Sequence, residues 1–282
     1  STTLKLESLM EVDRRLFLAT LGVGALELMS PEDKAEALEH YMEEKLDAEI
    51  AARDGAEPVL YMPDGEAIAL AELQQENPRP PRGTGSLFMP RAREFAPMSD
   101  KPTLVEFFEK RFAPANHVLQ SASHALETGQ PERTIMACLM HDVVLNLIKV
   151  DHGWWGAQLI EPYVDERVSW GIRYHAPLRF YPDESVGYEY PEMYNRIFGE
   201  DYVPEPYIKQ AYEHAKAHAH YMEARLITVN DTYAFEEGKR VSLDRFVDII
   251  GRNFKQPPEG LGYDNSPSAH MWRTIAYPNR PL

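Results

Sequence analysis

The chain has 282 residues, 44% of them hydrophobic, enough for one sizeable core with an extension. A formal net charge of −16 argues against nucleic acid and against anionic membrane surfaces as partners, because both require clustered Lys and Arg. The single cysteine, Cys138, excludes an internal disulfide and a cysteine-based zinc site.

Residues 14–26, RRLFLATLGVGAL, place paired arginines before a short apolar run. The run is too short to span a bilayer, and no clean small-x-small cleavage site follows it. The reading is an ordered amphipathic helix over about residues 9–28 of a cytoplasmic protein, with a twin-arginine-like export signal as the alternative. Ser30 and Pro31 supply an N-cap and a first-turn proline for a second helix running to about Arg53, whose acids read as a solvated face. Residues 58–70 alternate in polarity around a Pro-Asp-Gly turn, which predicts a β-hairpin. Residues 75–101 are rich in Pro and Gly and carry no period, so they read as a long connector. From Thr103 onward helices dominate, with expected segments 103–112, 115–128, 131–149, 152–163, 165–181, 190–199, 205–229 and 242–254. Short connections between them predict antiparallel packing. The expected fold is an all-α helical bundle spanning 102–282, preceded by an N-terminal helical and hairpin extension over 1–101.

The chemistry concentrates in that second part. His141 and Asp142 are adjacent inside an apolar run, residues 134–149, where both are costly unless paired or bound to metal. His117, His152, His175 and Asp231 flank them, and four imidazoles with two carboxylates suffice for two metal ions if one carboxylate bridges. Such a donor set suits Fe, Mn, Co or Zn. Successive residues leave a helix about 100° apart, so His141 and Asp142 serve one pocket only if ligands approach from two sides. A carboxylate lying between two ions meets that condition, which makes Asp142 the candidate bridge. The plain alternatives are a buried hydrogen-bonded pair for His141 and Asp142, core or surface roles for the other histidines, and a turn or cap for Asp231. Cys138, one turn before His141, reads as a small buried residue. His214, His218 and His220 form a second cluster with two members at i, i+4; no third ligand of the right type accompanies them, and a solvated helix face is the simpler reading.

The ordered set His117, His141-Asp142, His152, His175, Asp231, with Gln120 after the first histidine and Gly156-Ala157 after the third, resembles the HD-domain metalloproteins. Within them it is similar to the mixed-valent diiron oxygenase branch, which includes myo-inositol oxygenase and 2-amino-1-hydroxyethylphosphonate dioxygenase. The matching pieces lie in residues 105–255. The resemblance implies an HD-type bundle in which His117, His141 and Asp231 hold one ion, His152 and His175 the other, and Asp142 both. It implies two Fe ions as an Fe(II)/Fe(III) pair, with Mn or another divalent metal as the alternative, and no catalytic residue beyond the metal site. Its partners would be O2 and a small-molecule substrate, oxidised at a C–H, C–C or C–P bond. Two positions depart from the relatives. Leu145 stands where they carry a polar or basic substrate contact. Arg179 follows His175 by one turn, where the phosphonate enzyme has a lysine, and is the candidate substrate-binding residue for an anion. The gating Tyr and Glu of that enzyme have no clear counterpart; Glu106 and Glu109 are nearby but misaligned. The competing readings are an HD-type phosphohydrolase, which needs only the H…HD…D set, and a metal-free binding protein of the same fold.

Overall fold

The computed structural model describes residues 17, 29–53, 59–61, 67–69, 95–112, 116–145, 148, 151–200 and 202–278. Its architecture is all-α. The first described helix, α1 (Pro31–Arg53), starts with a reciprocal cap: Asp33 N donates to Ser30 Oγ at 3.1 Å and Ser30 N donates to Asp33 Oδ2 at 3.2 Å. Two short strands follow, Val59–Tyr61 and Ala67–Ala69, paired antiparallel with Leu60 opposite Ile68. The expected helix at 9–28, apart from Phe17, and most of the 75–101 connector lie outside the described residues. Phe17 is buried, with its ring 5.5 Å from that of Tyr41 on α1.

The bundle comprises α2 (Leu104–Lys110), α3 (Asn116–Glu127), α4 (Glu132–Met140), α5 (His152–Ile160) and α6 (Glu166–Leu178). It continues with α7 (Glu192–Phe198), α8 (Pro206–Ala217), α9 (Tyr221–Asp231), α10 (Val247–Asn253) and α11 (Ala269–Ala276). Thr103 and Asp165 cap α2 and α6 as their sequence positions suggest, each accepting a backbone N–H from the first turn. Helix α6 is the hub, packing against α4, α5, α8 and α9, while α3 packs on α1, α4 and α9. The α6–α9 approach is close enough that a Cβ on Gly171 would lie 3.1 Å from the Glu223 carbonyl. No described helix is long and apolar enough to cross a membrane.

Two expected segments differ from the structure, and one helix is additional. The helix over 131–149 stops at Met140, and residues 141–145 form turns in which Leu145 N reaches back to Asp142 O at 2.9 Å. The segment 205–229 is two helices, because His218 is extended (φ −88°, ψ 147°) and its Nδ1 accepts the His220 backbone N–H at 3.0 Å. That side-chain bond ends the backbone ladder in the way Asx and Ser turns do. Helix α11, which follows a Pro- and Gly-containing stretch, was not expected.

The main core gathers residues of α2 to α6, α10 and α11 around Trp272. The Trp272 ring meets Phe107 edge-on at 4.8 Å, and its Nε1 donates to Leu159 O at 3.1 Å. A second cluster lies under α1, where Leu38, Met42 and Leu46 pack on Phe180, Tyr194, Ile197 and Phe235. Trp272→Ala removes both the ring packing and the bond to Leu159. It should destabilise the protein by about 3–5 kcal/mol, read as a lowered chemical-denaturation midpoint; a change near zero would show that the α11 cluster does not carry the core.

Candidate metal centre

Helix ends build the centre. His117 is in the first turn of α3, His141 caps the C-terminus of α4 with Asp142 next to it, His152 opens α5, His175 is in the last turn of α6, and Asp231 closes α9. Ends suit this purpose because backbone direction changes there, so neighbouring residues can turn into one volume. Asp151 before α5 takes a left-handed backbone, φ 57°, and aims His152 inward. Gly153 lets α5 cross α6 at the site: a Cβ there would lie 2.6 Å from Ile172 O and 3.0 Å from His175 Cε1.

All six residues meet, in two nests that share one carboxylate. Asp142 Oδ2 lies 3.2 Å from both His117 Nε2 and His141 Nε2. Asp231 Oδ1 lies 3.0 and 2.9 Å from the same two nitrogens. On the other side, Asp142 Oδ1 is 2.9 Å from His152 Nε2 and 3.6 Å from His175 Nε2. Within each nest the donor atoms fall within 4.8 Å of one another. His117, His141, Asp142, His152 and His175 are buried, and Asp231 is partly so.

The surrounding contacts orient the rings. His141 Nδ1 pairs with Cys138 O at 2.8 Å, His175 Nδ1 with Ile172 O at 2.6 Å, and His152 Nδ1 with Glu36 Oε2 at 2.7 Å. An Nδ1–H donated to an oxygen leaves the Nε2 lone pair facing the centre, the tautomer that binds metal. His117 is held instead by stacking on Phe235 at 4.4 Å. Gln120 fixes α3 to the segment after α9, donating to Glu236 O and Lys239 O and accepting from Glu236 N. Meanwhile, apart from these close contacts with one another, His117 Nε2, His141 Nε2, both Asp142 oxygens and Asp231 Oδ1 are buried with no hydrogen-bond partner among the described residues. Buried polar atoms left unsatisfied are costly, and their convergence fits cations at the focus of each nest. The set could hold two metal ions with nitrogen and oxygen donors.

Electrostatics points the same way. Burial alone would lower the histidines, yet Asp231 and Asp142 hold His117 and His141 well above the ordinary imidazole range, and Glu36 with Asp142 does so for His152. His175 is pushed down by burial and by its imidazole neighbours. Despite burial, the imidazoles depress Asp142 and Asp231. The field of the two carboxylates thus demands positive charge, which protons supply without metal and cations supply with it. Burial pushes the Cys138 thiol up to about 11, so it is a packed, protonated side chain and no thiolate ligand.

Other singled-out residues stand apart. His218 stacks on Trp170 at 4.4 Å and His214 lies against Tyr174 at 5.2 Å, so that cluster belongs to an aromatic face outside the centre. Glu106 is taken by Ser99 and Lys110, which hold it down to about 2 in spite of some desolvation. Leu145 is buried but does not line the cavity beside the metal centre.

That cavity measures about 340 Å³ and touches one residue of each nest, His175 and Asp231. Leu38 and Met42 of α1, Met193 and Tyr194 of α7, and Phe235 supply apolar wall. Arg179 also lines it, but its guanidinium is engaged by Glu36 and Glu39 of α1, so the cation reaches the cavity already neutralised. Glu36 and Glu39 were missed in the sequence. The available signal was their place at i, i+3 on the stripe that carries Ala35, Leu38 and Met42.

Compared with known protein families and with characterised proteins, the sequence gives no match.

Asp142→Ala should remove both ions, because it deletes the one group facing both nests and leaves two cations unscreened. Elemental analysis should show metal near zero in that variant and a loss of about one ion in Asp231→Ala. Retention of full metal by Asp142→Ala would refute the shared-carboxylate geometry. Glu36→Gln keeps an acceptor for His152 but removes its charge. Chelator competition should show metal held about tenfold more weakly, with the fold intact by circular dichroism.

Proposed function

We propose that this chain is an O2-dependent oxygenase of the HD-domain type, using a mixed-valent Fe(II)/Fe(III) pair to oxidise a small organic substrate at a C–H, C–C or C–P bond. The observation that carries the reading is the second nest. A simple phosphohydrolase set needs His117, His141, Asp142 and Asp231; His152 and His175 add two oriented imidazoles on the far oxygen of Asp142. When bound, an iron pair supplies redox equivalents for O2 and a Lewis acid for a substrate hydroxyl or amine.

The chain's own residues do the rest. Asp142 and Asp231 set the charge of the centre, while the Nδ1 bonds of His141, His152 and His175 fix ring orientation. His175 and Asp231 form the polar floor of the cavity, and apolar side chains from α1 and α7 exclude water from the rest.

The phosphohydrolase alternative requires cations for a phosphate dianion. Among the described lining residues the cations are Arg179, tied to two carboxylates, and Arg196, exposed at the rim beside Glu192. A metal-free scaffold would have to neutralise Asp142 and Asp231 with buried protonated histidines, a costly arrangement that brings no packing gain.

Protein loaded with Fe(II) anaerobically should contain about two ions per chain, and after one-electron oxidation it should give the half-integer-spin EPR signal and the Mössbauer spectrum of a coupled Fe(II)/Fe(III) pair. With a turned-over substrate it should consume O2. Nucleotides and phosphomonoesters with Mn, Co or Mg should give no efficient hydrolysis. Robust metal-dependent hydrolysis that needs His141 would replace this reading with the phosphohydrolase one.

A further inference from the structure

Asp231 is the most exposed donor of the two nests. Its side chain is 14% exposed, against 5% or less for the other five. It also closes α9, where the carbonyl end of the helix repels a carboxylate, and no basic side chain lies in that last turn. A carboxylate so placed, beside a cavity that it lines, stays on the nest only if the chain around it is held.

One face of α3 supplies the hold. His117, Gln120 and His124 stand at i, i+3 and i+7 of that helix, so they project from the same side. His117 gives a nest nitrogen, and Gln120 takes the backbone of Glu236 and Lys239. His124 takes residues on both sides of Asp231. Its Nδ1 meets Asn230 Oδ1 at 2.7 Å, and its ring lies flat on that of Tyr233, with 4.0 Å between centroids and 13° between planes. Asn230 is fully buried and its amide is saturated. The Nδ2 group donates to Leu226 O at 2.7 Å and to Gln130 Oε1 at 2.8 Å, while Oδ1 accepts from Gln130 Nε2 at 3.0 Å. Leu226 O can only accept, which fixes the amide oxygen on the side of His124 and requires the imidazole proton on Nδ1.

We propose that His124 is a positioning residue of the metal centre. Through Asn230 and Tyr233 it clamps the end of α9 and keeps Asp231 on the first nest, so it sets how tightly that nest holds its ion without affecting the second. The inference rests on the two nests being metal sites. It does not depend on the native metal or on the reaction.

Zinc is the probe, added to the full chain, with chelator competition giving a dissociation constant for each of the two ions. His124→Phe keeps a ring for Tyr233 and removes the donor to Asn230. It should weaken one ion about tenfold, as loss of an outer contact does, and change the other by less than about twofold. His124→Asn returns a donor near the Nδ1 position and should bind that ion more tightly than His124→Phe does. Tyr233→Ala deletes the half-exposed ring of the clamp and should weaken the same ion about threefold; it carries the test if His124→Phe does not fold by circular dichroism. A clamp that acts through Asp231 has nothing to hold once Asp231 is gone, so adding His124→Phe to Asp231→Ala should leave the remaining ion unchanged. Equal weakening of both ions, a further loss in the double variant, or wild-type affinities in His124→Phe and Tyr233→Ala overturns the proposal and leaves the metal centre standing. A wild-type chain that takes up no zinc overturns both.

Discussion

Asp142 places one carboxylate between four imidazoles in the interior, and the arrangement of α3 to α6 and α9 follows from that. Its two oxygens face opposite nests, so the helices on either side must arrive with their histidines at matching depth. Several features that look separate answer this requirement: the turn after α4, the left-handed Asp151, the missing side chain at Gly153 and the Gln120 bonds across to the end of α9. Unfilled, the focus gathers unsatisfied lone pairs; filled, it ties five helix ends to one charge.

The outer residues extend that logic away from the centre. Glu36 reaches from α1 to the far nitrogen of His152, and Arg179 clamps Glu36 and Glu39 from α6. Tyr188 donates to Arg179 O at 2.9 Å and fixes the chain just past α6. A carboxylate behind a histidine raises its basicity, and a guanidinium behind the carboxylate keeps it ionised although buried. Arg179, which the sequence suggested as a substrate contact, therefore serves first as part of a buried ion network.

Much of the centre was legible because polar residues inside apolar helices carry their own explanation. His141 and Asp142 interrupt a run of Ile, Met, Leu and Val, and their partners follow in an order that the chain itself displays. Helix positions were readable for α1, α2 and α6, where Ser30, Thr103 and Asp165 are local caps. What local pattern could not show was tertiary. The stop of α4 at Met140 follows from the need to turn Asp142 toward two sides, and the break at His218 from a side-chain bond that competes with the helix. Glu36 and Glu39 look like ordinary members of an acidic helix; only the arrival of Arg179, more than a hundred positions later, makes them buried. Leu145, which the resemblance set at a substrate contact, is buried away from the cavity, whose apolar wall comes from α1 and α7 instead.

Helix α1 contributes cavity wall and an outer carboxylate, yet none of the six residues of the two nests. Part of the cavity wall is thus written far upstream of the histidine and aspartate pattern, in the segment that also places Glu36 behind His152. Exchanges at Leu38, Glu39 or Met42 would reshape the cavity without touching the six residues of the nests, so the two can vary independently, and a search built only on the histidine and aspartate pattern would leave that segment out.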